Sequence, residues 1–249
     1  MTWHILHLPA IDEDGNPLWP EYFPKEKLLA LRQQLGGPIF DTMYMGRPEA
    51  LSGEIFQRDW FKPCKLVNRP DGLAIARSNG EVVSVSECIV FQYWDLAISE
   101  KQTADYTVCL TLAVYPTDMS LYVLDVVRGH QSFDETQRSI ARQGDFWTPN
   151  VVGIESVAYQ AAAVQAAKRN TLLPIREVRV DRDKVTRARL PATFAESGKI
   201  EVVQAHWTDE FLAELVAFPG GKHDDMVDAL SGACAIAQTY VPSSFFLWE

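Results

Sequence analysis

Three strand-like segments follow one another in the middle of the chain with no helical pattern between them, and this order constrains the fold more than any other feature. The first, VVSVSECIVFQYW, runs into Asp95, and YTVCLTLAVY (106–115) and LYVLDVVRG (121–129) come next. All three are rich in β-branched and aromatic residues, and the turn sequence PTDMS separates the last two. We therefore predict three consecutive antiparallel strands.

Helices and strands alternate after this block. Ser132 is a candidate N-cap for the polar helix SFDETQRSIARQ, and the short strand VVGIE precedes the alanine-rich helix SVAYQAAAVQAAKRN. The remaining segments are the strand LPIREVRV, the helix DKVTRARLPATFAES, the strand KIEVV, the helix TDEFLAELVAF and a last helix that begins near HDDMVDA. This order matches a ribonuclease H-like α/β fold, a mixed β-sheet of three antiparallel strands and then parallel strands, flanked by helices. A doubly wound sheet is the alternative, but it needs a helix between the first strands.

Residues 1–70 differ from the rest because they are rich in Pro, Trp and Tyr and show little periodicity. One helix is predicted in PKEKLLALRQQLGG, with Pro24 near its first turn and a glycine pair at its end. A turn at residues 68–72 follows. We therefore divide the chain into a connecting segment, residues 1–70, and a main domain, residues 71–249.

The composition excludes several classes of protein. A chain of 249 residues with 47% hydrophobic content can bury the core of one large domain. It has no run of about 18 apolar residues and no basic and then apolar N-terminus, so we expect neither a membrane span nor a secretory signal. The four cysteines are scattered without a CxxC pair, which argues against a zinc site or disulfide framework and fits a reducing cytosol.

The charge is unevenly distributed. A net charge of -10 argues against a nucleic-acid partner, but such a partner needs only a local basic face. Residues 168–189 contain eight basic and three acidic side chains. This window permits a phosphate-rich ligand, although a solvated charged surface explains it equally well.

Five acidic residues lie where predicted elements begin or end. Asp95 and Glu155 each follow an apolar strand, and side chains at strand ends project into the crevice where ligands bind. Asp224 and Asp225 open the last predicted helix, and Asp228 lies one turn later on nearly the same face. Carboxylates without His or Cys partners suit Mg²⁺ or Mn²⁺, and two such ions about 4 Å apart can hydrolyse a phosphodiester.

Each acid also has a purely structural explanation. Asp95 can cap the turn after its strand, while Glu155 and either member of the Asp224–Asp225 pair can serve a helix N-terminus. One acid is enough for a cap, however, and three acids within one turn repel one another unless a cation compensates them. The five histidines lack ligand spacing, and no G-x-S-x-G motif occurs. No phosphate loop occurs either, so we expect no ATP hydrolysis by this chain alone.

Four blocks resemble, in this order, the C-terminal nuclease domain of bacteriophage large terminase subunits: YWDLAISEKQTADYTV, VVGIES, DKVTRARLPATFAESGKIEVV and FPGGKHDDMVDALSGA. The stretch LWPEYFPKEKLLALRQQLGGPIFDTMYMGRPEALSGEIFQRDWF is similar to the end of the terminase ATPase region. The resemblance implies a ribonuclease H-like endonuclease that cuts concatemeric viral DNA during genome packaging with two Mg²⁺ or Mn²⁺ ions. Large terminases carry an ATPase with a phosphate loop, which these residues lack, so motor activity is not implied for them.

The resemblance also implies roles for individual residues. The catalytic metal ligands it implies are Asp95, Glu155 and Asp225, with Asp224 as a further ligand candidate. The supporting residues it implies are Asp228, Asp105 and His223. The candidates for contacts with DNA phosphates are Lys184 and Arg187, from the DKxxR block, and Arg182. Surface salt bridges are the alternative explanation of the basic residues.

The implied partners are double-stranded DNA, the terminase ATPase region, the small terminase subunit and the portal, and no membrane is involved. The implied location is the cytoplasm of an infected bacterial host. A Holliday-junction resolvase or a transposase of the same fold is the alternative enzyme. A DNA-binding packaging module without catalytic activity is the alternative from another class of protein.

Overall fold

The structure is a computed structural model of the chain. The described residues are 8–12, 14–35, 37–46, 55–97, 106–156, 161–180 and 182–240.

One mixed sheet of nine strands organises this part of the chain. In chain order the strands are β1 (Lys62–Arg69), β2 (Gly72–Ala76), β3 (Val82–Ser84), β4 (Ile89–Asp95), β5 (Thr107–Tyr115), β6 (Ser120–Gly129), β7 (Val151–Glu155), β8 (Ile175–Val178) and β9 (Ile200–Val203). Across the sheet their order is β3-β2-β1-β9-β6-β5-β4-β7-β8.

The central strands have the predicted arrangement. β5 lies antiparallel between β4 and β6, with Val108 opposite both Asp95 and Arg128. β7 is parallel to β4, β8 is parallel to β7, and β9 is parallel to β6. The ribonuclease H-like fold class, with three antiparallel strands followed by parallel ones, is confirmed.

Helices flank the sheet. They are α1 (Lys25–Leu35), α2 (Gly37–Met43), α3 (Phe133–Trp147), α4 (Ala161–Asn170), α5 (Lys184–Glu196), α6 (Thr208–Ala217) and α7 (Asp225–Tyr240). The predicted cap of α3 is confirmed, because the Ser132 side chain accepts from the Glu135 backbone and the Glu135 side chain accepts from the Ser132 backbone. In the ranges given above, no helix combines the length and the apolar character that crossing a membrane requires.

α5 and α7 cover one face of the sheet, and α3 and α4 cover the other. On the first face, Tyr93 of β4 packs in one buried cluster with Ala229 of α7. Side chains alternate along a strand, so Trp94 lies on the opposite face, in a cluster with Ile140 of α3 and Val164 of α4. By the same alternation, Asp95 emerges on the face covered by α7.

The segment VVSVSECIVFQYW is not one strand, and that prediction is wrong. β3 ends at Ser84, whose side chain caps a 3-10 turn at Val85–Glu87, and the Glu87 side chain accepts from the Ser84 backbone. β4 begins only at Ile89. The reciprocal cap is a local signal for a helical turn, and here it outweighs the β-branched pattern around it.

The sheet also begins before the boundary predicted at residue 70. β1 lies within residues 1–70, yet it pairs with β9 through Lys62↔Glu201, Pro63↔Val202 and Cys64↔Val203. β1 therefore belongs to the same sheet as the rest of the chain, and the assignment of residues 1–70 to a terminase ATPase region stays a prediction. The predicted first turn of the alanine-rich helix, residues 157–160, lies outside the described residues.

Candidate active site

The three acids predicted as catalytic lie at one end of the strands, at the sheet edge formed by the carboxyl-terminal ends of β4 and β7. Asp95 ends β4 and Glu155 ends β7, and these strands are parallel neighbours in which Trp94 pairs with Ile154. Asp225 is the first residue of α7, the helix that covers this part of the sheet. Three separate elements thus place Asp95, Glu155 and Asp225 near one another at this edge, and their roles as metal ligands stay a prediction.

Among the described residues, Asp95 is the acid of the site whose negative charge is least balanced by basic side chains. Burial raises the pKa of its carboxyl well above the ordinary value, and the charges of Glu155, Asp228 and Asp225 raise it further. The charge of Lys184 opposes this rise but does not outweigh it. Among the described residues, the Asp95 carboxylate has neither a hydrogen-bond donor nor an ion-pair partner. A partly buried carboxylate that faces other acids without a donor of its own is a favourable place for a cation.

Tyr93, a residue of the neighbouring strand β4, holds the Glu155 side chain in place. The Tyr93 hydroxyl donates a hydrogen bond of 3.0 Å to Glu155 Oε2, and Arg187 Nη1 lies 3.9 Å from the same oxygen. Burial raises the pKa of the Tyr93 hydroxyl, and the charge of Glu155 adds to the effect, so this hydroxyl remains a donor at neutral pH. Tyr93 therefore fixes one oxygen of Glu155.

Two glycines let α7 approach the sheet closely enough to bring its acids to this edge. A Cβ atom on Gly232 of α7 would lie 2.2 Å from two ring carbons of Tyr93. A Cβ atom on Gly153 of β7 would lie 2.1 Å from Ile236 of α7. Carbon atoms pack at about 3.5–4.0 Å, so a side chain at Gly232 requires the Tyr93 ring or the helix to move, and one at Gly153 requires at least the end of the Ile236 side chain to move.

Asp228 is buried, and basic side chains contact both of its carboxylate oxygens. Its side chain is only 6% exposed, its Oδ1 accepts a 2.6 Å hydrogen bond from Arg187 Nη2, and its Oδ2 lies 2.8 Å from Lys184 Nζ. Lys184 also donates a 2.6 Å hydrogen bond to Asp224 Oδ1. Burial lowers the pKa of Lys184, but its hydrogen bonds to Asp224 and Asp228 outweigh burial and raise it overall. Lys184 and Arg187 thus point toward the acids.

Asp225 keeps its oxygens freer than Asp228 does. The described cation nearest to it is Arg128, whose Nη2 lies 3.8 Å from Asp225 Oδ2, beyond hydrogen-bond range. Burial raises the pKa of the Asp225 carboxyl, and Arg128 opposes this rise. Capping of α7 does not depend on the Asp225 side chain, because the Met226 N–H donates to Glu214 Oε1 at 2.6 Å. Asp225 is therefore better suited than Asp228 to bind a ligand.

Sequence reasoning missed Arg128 and Glu214. Arg128 comes near the end of β6 and Glu214 lies in α6, and both side chains reach the start of α7. A signal was present for Glu214, because it falls among apolar residues of TDEFLAELVAF, where a buried acid needs a partner. For Arg128, the signal was its place at the end of a strand that belongs to the same antiparallel block as β4.

The remaining predicted residues are arranged differently. The His223 ring lies edge-on to Tyr106 at 5.4 Å between centroids, and a charge on this ring opposes the rise that burial causes in the pKa of Asp225. Arg182 is exposed and, within the described ranges, has no ion-pair partner. Asp105 lies outside the described residues. His223 therefore reaches the site, whereas Arg182 lies on the surface just before Lys184.

The acids form a donor set that suits a hard divalent cation, but basic side chains now share it. In the described part of the chain, no three Asp, Glu, His or Cys side chains converge closely enough to hold a metal ion. Lys184 pairs with Asp224, and Arg187 pairs with Asp228 and, at 3.9 Å, with Glu155. The all-oxygen chemistry fits Mg²⁺ or Mn²⁺, and within the described ranges the Asp95 carboxylate has no partner that would compete with the ion.

Comparison with known proteins agrees with this fold. Residues 92–235 match the family model for the terminase RNaseH-like domain. A comparison with curated protein sequences found no match.

Three solved structures illustrate the likeness. The large terminase nuclease from thermophilic phage G20c with bound cobalt is 16% identical at a TM-score of 0.53, over 73% of this chain and 96% of that one. Its form with bound magnesium is 15% identical at a TM-score of 0.51, over 73% and 96% of the two chains. The large terminase from a second thermophilic bacteriophage is 14% identical at a TM-score of 0.56, over 86% of this chain and 53% of that one.

At such identities the likeness to solved structures establishes the fold, while the family model covers more than half of the 249 residues and includes Asp95, Glu155 and Asp225. The chain belongs to the terminase RNaseH-like domain family.

Proposed function

We propose that this chain is a divalent-metal-dependent DNA endonuclease that cuts concatemeric viral DNA during genome packaging. The observation that carries the proposal is the meeting of Asp95, Glu155 and Asp225 at one sheet edge in a chain of the terminase family. The metal-bound nucleases of phage G20c share the fold and support the choice of a metal-dependent reaction.

In this proposal Asp95, Glu155 and Asp225 hold two Mg²⁺ or Mn²⁺ ions, with Asp224 as a further ligand. Bound ions of this kind activate a water molecule and stabilise the departing 3′ oxygen of a phosphodiester. The Tyr93 hydroxyl orients Glu155 through its 3.0 Å hydrogen bond. Asp228 supports the site without binding metal, because both of its oxygens are engaged by Arg187 and Lys184.

Basic residues beside the acids supply contacts to DNA phosphates in this proposal. Lys184 has about half of its side chain exposed, and Arg182 is exposed just before it. Arg187 is only 15% exposed, so its predicted phosphate contact requires DNA to reach into the site. Contacts of this kind bind the DNA backbone without reading base sequence.

The proposed setting is the packaging machinery in the cytoplasm of an infected bacterium. The substrate is double-stranded DNA, and the proposed partners are the terminase ATPase region, the small terminase subunit and the portal. The likeness to the large terminase of the second thermophilic phage, of which this chain spans about half, supports an association with the ATPase region.

A cleavage assay tests the proposal. Supercoiled plasmid is incubated with high concentrations of wild type, Asp95→Ala or Asp225→Ala protein in Mg²⁺, Mn²⁺ or EDTA. We expect wild-type cleavage with metal, none in EDTA, and loss of cleavage in both variants. Asp209→Ala is the matched control, because Asp209 is an exposed acid that pairs with Arg58 outside the site. Intact plasmid with wild type in both metals, or normal cleavage by both site variants, refutes the proposed function.

A further inference from the structure

Arg128 is a buried cation that joins three elements at the candidate site. It lies near the end of β6, its side chain is 12% exposed, and its Nη1 pairs with Glu210 of α6. Its Nη2 lies 3.5 Å from Glu214 Oε2 and 3.8 Å from Asp225 Oδ2. The buried Nη2 atom hydrogen-bonds to neither carboxylate, so both share its charge.

An aromatic ring fixes the plane of this guanidinium. The Arg128 guanidinium lies 3.7 Å from the centroid of the Tyr106 ring, and the same ring stacks on His130 at 4.1 Å. A cation over an aromatic face is held most strongly where water is excluded. Stacking on Tyr106, just before β5, thus fixes the position of Arg128 Nη2 between α6 and α7.

Glu214 connects Arg128 to the backbone of α7. Its side chain is buried, and while Oε2 faces Arg128, Oε1 accepts the Met226 N–H at 2.6 Å. Met226 follows Asp225 directly, so this contact fixes where α7 begins. The Arg128–Glu214 pair therefore acts on Asp225 twice, through its carboxylate and through its backbone.

We infer that Arg128, acting with Glu214, is a positioning residue that sets the Asp225 carboxylate for metal binding. The inference rests on the proposed function, because it gives Asp225 the role of a ligand. The 3.8 Å separation matters here, because Arg128 orients Asp225 by charge while leaving its oxygen lone pairs available. Asp228, whose oxygens are both engaged at 2.6 and 2.8 Å, has no such freedom.

Arg77 provides a matched control elsewhere in the sheet. Its side chain is 10% exposed, it pairs with Glu81, Asp118 and Glu201, and its guanidinium lies over the Tyr122 ring at 5.8 Å. Asp118 follows the end of β5, at the opposite edge of the sheet from Asp95. Arg77 and Arg128 thus have the same chemistry and burial, but only Arg128 contacts a predicted metal ligand.

The test measures Mn²⁺ binding by electron paramagnetic resonance together with thermal unfolding in EDTA. We expect Arg128→Gln and Arg77→Gln both to unfold at a lower temperature, because each leaves buried acids without their cation. Only Arg128→Gln should weaken Mn²⁺ binding, by about 10- to 100-fold, as for residues that orient metal ligands. Arg128→Lys should recover part of this loss, because it keeps the charge but cannot reach both carboxylates.

Tyr106→Leu keeps the guanidinium and removes its aromatic support, together with the ring contacts to His130 and His223. It serves if Arg128→Gln does not fold, and we expect it to weaken Mn²⁺ binding about threefold. If folded Arg128→Gln binds Mn²⁺ with wild-type affinity, the inference is overturned but the proposed function is not. If Arg128→Gln does not fold, wild-type Mn²⁺ affinity in Tyr106→Leu has the same consequence. An equal loss of affinity in Arg77→Gln also overturns it. A wild-type protein that binds no Mn²⁺ overturns the proposed function and the inference with it.

Discussion

Replacement of Gly232 by alanine tests whether the close packing of α7 on the sheet sets the geometry of the acidic edge. The new Cβ atom would lie 2.2 Å from Cε2 and Cζ of Tyr93 and 2.5 Å from Cε1. Carbon atoms need at least about 3.5 Å, so the ring or the helix must move by about 1.3 Å. Tyr93 is completely buried and has little room to move.

The expected loss of stability follows from two opposing effects. Overpacking a core costs about 1–3 kcal/mol, and the upper end applies because the clash is with a buried ring. Alanine is better than glycine within a helix by about 1 kcal/mol, which offsets part of this cost. We expect a net loss of about 2 kcal/mol, or a fall in melting temperature of about 4–8 °C for a chain of this size.

The same displacement should reduce cleavage, because Tyr93 donates the hydrogen bond that fixes Glu155 and α7 carries Asp225. A shift of about 1 Å in a catalytic group can lower the rate up to about 100-fold. Thermal unfolding and plasmid cleavage in Mn²⁺ measure the two effects. Ala235→Gly is the control, because Ala235 is exposed on α7 and should lose only about 1 kcal/mol of helix propensity without loss of activity. A Gly232→Ala protein with wild-type stability and wild-type cleavage would refute this reasoning.

Two further predictions concern charge. Burial and the charges of Glu155, Asp228 and Asp225 raise the pKa of Asp95, so the folded state holds the proton of this carboxyl more tightly than the unfolded state does. The stabilisation from this protonation is complete below about pH 4 and is lost as the pH rises through the folded-state pKa. In EDTA at pH 7–8 we therefore expect Asp95→Asn to melt at a higher temperature than wild type, with the difference shrinking toward pH 4, and equal melting temperatures at every pH would contradict this. We expect Arg182→Gln to reduce the slope of log affinity for DNA against log salt by about 0.9, measured by fluorescence anisotropy in EDTA, and an unchanged slope would exclude a phosphate contact by Arg182.

The parts of the fold that the sequence predicts correctly depend on local signals. β5 and β6 appear as β-branched runs on either side of a turn, and the Ser132–Glu135 cap marks the start of α3. Asp95 and Glu155 were recognisable because each directly follows an apolar strand. Their proximity did not follow from these local signals, because it depends on the parallel pairing of β4 with β7, which brings both acids to the same sheet edge.

The parts that the sequence could not predict depend on contacts between distant residues. Arg128 and Glu214 meet only because β6 and α6 both end beside α7. Lys184 and Arg187 belong to a basic window that is typical of a solvated surface, yet the packing of α5 beside α7 directs them toward Asp228. β1, KPCKLVNR, is polar and mostly exposed, so it has little strand signal apart from its pairing with β2 and β9.

The place of β9 in the sheet has a consequence for how the chain folds. β9 lies between β1 and β6, so within the described residues the β1–β3 meander joins the rest of the sheet only through β9. During synthesis, β1 leaves the ribosome long before its partner β9 exists, and pairing between distant segments slows folding. Until then, the inner edge of β1 is an open strand edge of the kind that promotes association between chains. We therefore expect the nine-stranded sheet to form only late in translation. We expect the synthesis and pairing of β9 to limit the rate at which the sheet is completed.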